Sequence, residues 1–142
     1  APEGLRAAMR TGNRWQDLLT AEYRTGRTGN EVLARTRAAA DKAGMVSSVY
    51  THGVGNFGHA PGPTIGMWDQ QGGVPHTGDY PLYPNTCYAI ELNNAIFLPE
   101  WNKKIRIMLE EDAYFDGQSC NYIDGRQTEL YLIPRVLPNH GK

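Results

Sequence analysis

The chain has 142 residues, 40% of them hydrophobic and 10% aromatic, enough apolar material for one packed domain and too much for a disordered segment. Lysine and arginine total 14 against 15 aspartate and glutamate, and the net charge of −1 is scattered, which argues against a nucleic-acid partner or an anionic membrane surface. No apolar run is long enough to span a bilayer and no signal-peptide core opens the chain, so a soluble protein is expected; Cys87 and Cys120 are too few and too far apart for a zinc ribbon and read as reduced thiols.

In chain order, Asn13 is placed to cap a helix whose apolar stripe is Trp15, Leu18, Leu19 and Tyr23, ending near Gly26. Thr28-Gly-Asn-Glu31 sets a hydroxyl and a carboxylate three residues apart, a capping box that opens a second helix. That helix runs to about Ala43, with Gly44 as its left-handed stop. Residues 45–51 are rich in β-branched and aromatic side chains and predict a strand. It feeds residues 52–66, where five glycines surround His52 and His59. Proline and glycine stay too frequent from 60 to 86 for regular structure, so 52–86 is expected to be a loop. Strand-like runs follow at 87–97, 104–115 and 128–133, with Asp116-Gly117 and Asp124-Gly125 as turn signals. Helices over about 13–43 and consecutive strands over about 87–133 predict one α+β domain across 1–142, an antiparallel sheet with helices on one face.

Two carboxylates interrupt apolar strands. Along the first acidic strand, Ile90 and Leu92 share one face while Glu91 points to the other with Ala89. On the next, Glu111 falls on the face of Ile107 and Leu109, where period two calls for a core residue; Glu110 and Asp112 alternate to the other side as solvated groups. A carboxylate on a core-directed face is costly unless paired, hydrogen-bonded or bound to a metal. The ordinary alternatives are a solvent-facing position for Glu91 and a salt bridge to Arg106 or Lys104 for Glu111. With an imidazole from the glycine-rich stretch, the two acids make an N/O donor set suited to Mn, Fe, Co or Zn.

Four segments together resemble the pita-bread metallopeptidases, the group of methionine aminopeptidase, aminopeptidase P and prolidase with metal-free creatinase as a relative. They are His52-Gly-Val-Gly, Gly58-His59-Ala-Pro-Gly62, Asn85-Thr-Cys-Tyr-Ala-Ile-Glu-Leu92 and Arg106-Ile-Met-Leu-Glu-Glu-Asp112. The likeness spans roughly residues 12–135 and is nearest to the Xaa-Pro peptidases. It implies a partial pita-bread fold and a metal-dependent hydrolase that removes residues from peptide N-termini at Xaa-Pro bonds, with two divalent ions in the intact site. It further implies His59, Glu91 and Glu111 as metal ligands, Glu111 also as proton acceptor, and His52 as the histidine at the substrate carbonyl. A second alignment exchanges the two histidines; the interval from His59 to Glu91 favours the first. Trp68 and Tyr80 are candidates for the substrate pocket.

The departures carry expectations of their own. No histidine stands near Gly66, Leu92 replaces the family's proline, and two extra residues separate Arg106 from Glu111-Asp112. The family's two aspartate ligands belong to a hairpin upstream of the helices and are expected before residue 1. With three ligands at most, the isolated chain is expected to bind metal weakly or not at all and to show little peptidase activity. A peptide-binding module without chemistry and a metal-free hydrolase are the competing classes. A missing hairpin would also leave a sheet edge open to self-association, so a homodimer is an expected partner beside the peptide substrate.

Overall fold

The computed structural model describes residues 1–133. Two helices, α1 (Glu3–Thr20) and α2 (Gly29–Lys42), precede five strands: β1 (Val46–Gly55), β2 (Gly58–Ile65), β3 (Thr86–Leu98), β4 (Lys103–Phe115) and β5 (Cys120–Tyr122). The sheet is antiparallel throughout in the order β2-β1-β3-β4-β5. This is the expected α+β arrangement. Among the described residues no helix is long and apolar enough to cross a membrane.

The helix starts divide between agreement and correction. Thr28 accepts from the Glu31 amide while the Glu31 carboxylate accepts from the Thr28 amide, so α2 opens on the expected capping box, and Gly44 closes it at φ +66°. Asn13 does not cap α1. The helix begins ten residues earlier, behind Pro2, and ends at Thr20 rather than near Gly26. Asn13 sits buried in mid-helix, where its amide donates to the carbonyls of Met9 and Gln127, so those acceptors take up the group expected to cap.

The glycine-rich stretch is the larger correction. Residues 52–65 are not a loop: β1 continues to Gly55, turns through Asn56 and Phe57, and returns as β2. Pro61 and Pro63 lack amide hydrogens, and the β1–β2 register slips there, between Thr51↔Ile65 and Gly53↔Ala60. The expected strand at 128–133 is also absent; the chain is irregular there, and the last strand among the described residues is β5, at 120–122. The Asp116-Gly117 turn that leads into it is present, with the Asp116 carboxylate accepting the amides of Gln118 and Ser119. Both cysteines are free thiols.

The helices cover one face of the sheet. Trp15, Leu19 and Tyr23 are fully buried against Val49, Tyr88, Ile90 and Phe115, and the Trp15 indole N–H reaches the Ser48 carbonyl in β1 at 3.1 Å. Two glycines set the helix–sheet distance: a Cβ on Gly12 would stand 2.9 Å from Asn94 and Leu109, and one on Gly29 would stand 2.2 Å from the Thr64 carbonyl. Among the described residues the opposite face carries no helix.

Candidate functional site

Cross-strand register decides which side chains meet. Tyr50 pairs with Glu91 and Glu91 with Glu110, so all three project from the open face of the sheet. His52 follows Tyr50 by two and lies opposite Ala89 on that face. His59 joins it through its pairing with Val54 in the β1–β2 hairpin. The two imidazoles stack with centroids 3.9 Å apart and planes 13° from parallel. Tyr50 Oη stands 3.5 Å from His59 Nε2.

His52 and Glu91 form the tightest contact of this group, Nε2 to Oε1 at 2.8 Å. The other nitrogen, Nδ1, donates to the Gly53 carbonyl at 2.9 Å. With Nδ1–H so committed, the contact to Glu91 needs one further proton, held by the ring or by the carboxylate. The ring therefore has no free nitrogen. His59 keeps Nε2 accessible beside the Tyr50 hydroxyl.

Glu111 does not take part. It pairs with Ile90, so it projects to the helix-covered face, where it accepts the Gln127 amide at 2.7 Å. The expectation that it would be turned inward with Ile107 and Leu109 holds; the expectation that it would converge with Glu91 does not. Strand parity separates the two. Glu110, set aside as solvated, is the acid that stands directly across from Glu91.

A cleft of about 350 Å³ opens beside this pair, lined among others by Tyr50, Trp68, Glu91, Arg106, Met108 and Glu110. Trp68 reaches it because Gln71 clamps the Met67–Gln70 turn to β1, accepting the Val49 amide and donating to the Val49 carbonyl. Tyr80 does not line this cleft: it follows a short 3-10 turn packed at the start of α2, where its carbonyl accepts the Gly29 amide. Sequence reasoning gave no site role to Tyr50, Arg106, Met108 or Glu110. Tyr50 carried a usable signal, since it alternates in step with His52.

Among the described residues no three His, Cys, Asp or Glu side chains are grouped to share an ion. His52 has both nitrogens engaged and Glu111 faces away, so the donors present do not fit the two-ion site that the resemblance implies.

No family model matches the chain and no curated protein matches it. Among solved structures it is similar to the crystal structure of an X-Pro aminopeptidase from Thermotoga maritima MSB8, with a TM-score of 0.66 and 20% identity over 93% of this chain. The fold is that of the pita-bread peptidases. The match covers 34% of the aminopeptidase, so the chain corresponds to about a third of that enzyme's length.

Proposed function

We propose that this chain is the part of a peptidase-type domain that receives the amino-terminal end of a peptide, with Xaa-Pro sequences preferred. The observation that carries this is the gathering of His52, His59, Glu91 and Glu110 on the open face of a sheet whose fold is shared with an X-Pro aminopeptidase. Glu110 stands opposite Glu91 with no ion-pair partner among the described residues, and since His52 and Glu91 share a single proton, a further cation beside Glu110 is favoured. A peptide α-ammonium is such a cation. Trp68 and Tyr50 line the cleft as apolar walls that suit a prolyl ring, and His59 contacts Tyr50, its Nε2 standing 3.5 Å from the hydroxyl. His52 holds the Glu91 carboxylate in place through its 2.8 Å contact.

Binding without cleavage is the reading favoured for the isolated chain, because the described residues do not assemble three donors about one point. Hydrolysis in this fold would draw on groups beyond those described. The test is a titration with a short Xaa-Pro peptide and its N-acetylated counterpart, followed through the histidine ring resonances, with product release assayed in Mn, Co and Zn. The free peptide should shift the His52 and His59 signals, the acetylated one should bind about tenfold more weakly, and no product should form. Equal binding of both peptides would refute the ammonium site, and cleavage by the chain alone would refute the binding-only reading.

A further inference from the structure

The two long edges of the sheet are guarded unequally. On β2, Pro61 and Pro63 remove two amide donors and the register slip interrupts the strand, which blunts that edge. On the other side, β5 pairs with β4 only over Ala113–Phe115, and the Ile123 amide takes the Asp112 carbonyl. Among the described residues nothing pairs with the outer edge of β4 from Lys103 to Glu111. Because the Asp112 carbonyl points outward, alternation sends the backbone groups of Lys104, Arg106, Met108 and Glu110 the same way.

Charge is segregated along this edge. Lys103, Lys104 and Arg106 stand at its beginning, Glu110 and Glu111 at its end, with Ile105, Ile107, Met108 and Leu109 between. None of these charged residues is in an ion pair among the described residues. Charged residues on an edge usually discourage pairing. Here the order matters more than the number: a copy laid parallel and in register would set lysine on lysine and glutamate on glutamate, whereas an antiparallel copy sets each sign on its opposite.

We propose that β4 is a self-complementary edge through which two copies of this chain pair antiparallel about a twofold axis at Ile107, joining their sheets into one. That axis places Lys103 opposite the partner's Glu111, Lys104 opposite the partner's Glu110, Ile105 opposite the partner's Leu109 and Arg106 opposite the partner's Met108, each pairing occurring twice by symmetry. The outward backbone groups at 104, 106, 108 and 110 then find partners in hydrogen-bonded pairs. The register also ends where β5 begins, so the Ile123–Asp112 contact is left intact. Glu111 keeps one oxygen on the Gln127 amide and has the second for Lys103 of the other copy. This edge shares Arg106, Met108 and Glu110 with the peptide cleft, so pairing and peptide binding draw on common residues.

Sedimentation velocity on the full chain over a concentration series tests this, with Lys104→Glu and Glu110→Lys measured alone and mixed. The wild type should dimerise reversibly and more weakly at high salt. Each single variant sets like charges opposite each other at the two 104–110 pairings and should raise the dissociation constant about tenfold or more. An equimolar mixture should restore the dimer as a heterodimer, since each 104–110 pairing then joins opposite signs again; this rescue also excludes misfolding as the cause of the loss. A wild type that stays monomeric across the series, single variants that dimerise as well as wild type, or a mixture that does not reassociate would each overturn the proposal.

Discussion

A carboxylate one position out of step along a strand changes faces, and Glu110 and Glu111 show the consequence. Alternation within β4 places Glu111 with Ile107 and Leu109, and alternation within β3 places Glu91 away from Ile90 and Leu92. Since both apolar rows face the same helices, the two acids could not have met. The phenol of Tyr122 yields a prediction at this scale. Burial pushes its pKa from 10.0 up to about 12, against the lowering effect of Arg126. Below pH 10 the proton is bound in folded and unfolded chains alike. Between pH 10 and 12 the unfolded chain releases it and the folded chain does not, so stability falls as pH rises through that window. Burial raises the Cys120 thiol likewise, from 9.0 to about 12, and adds to the fall. Urea midpoints measured from pH 9 upward should decline, and Tyr122→Phe should make the decline shallower without abolishing it.

Among the elements, α2 was the most legible, because its start depends on two side chains three residues apart that bond to each other's backbone. Thr28→Ala should lower stability by about 1 kcal/mol, read as a drop in the urea midpoint with an unchanged denaturant slope. The β1–β2 hairpin was the least legible. Glycine and proline normally mark loops, but here Gly55 and Gly58 flank the turn and the prolines fall on an edge strand, where a missing donor is tolerated. The start of α1 was misread for a related reason: an asparagine can cap a helix or sit inside one, and for Asn13 the carbonyls of Met9 and the distant Gln127 settle which.

At the scale of the whole molecule, one layer of helices on one face of the sheet makes the core and, among the described residues, leaves the other face uncovered. Trp15 ties the layers together, being fully buried and bonded to Ser48 in β1. Trp15→Ala should cost about 3–5 kcal/mol, a large share of the stability of a domain this size, and thermal denaturation followed by circular dichroism should show a single transition displaced far downward. Placing His52, His59 and Glu91 on one open face required the β1–β3 pairing as well as the hairpin, contacts made across many residues of chain.

By itself the sequence determined the class of fold, the second helix with its cap, the two long acidic strands and the inward or outward side of each residue on them. These depend on local periodicity and on bonds between near neighbours. The tertiary structure decided which strands lie side by side and in what register, and therefore that Glu110 rather than Glu111 faces Glu91, that His52 spends its nitrogens on Gly53 and Glu91, and that among the described residues the β4 edge stands open. Register is a relation between distant segments, and residues on one strand carry little record of what the neighbouring strand sets opposite them.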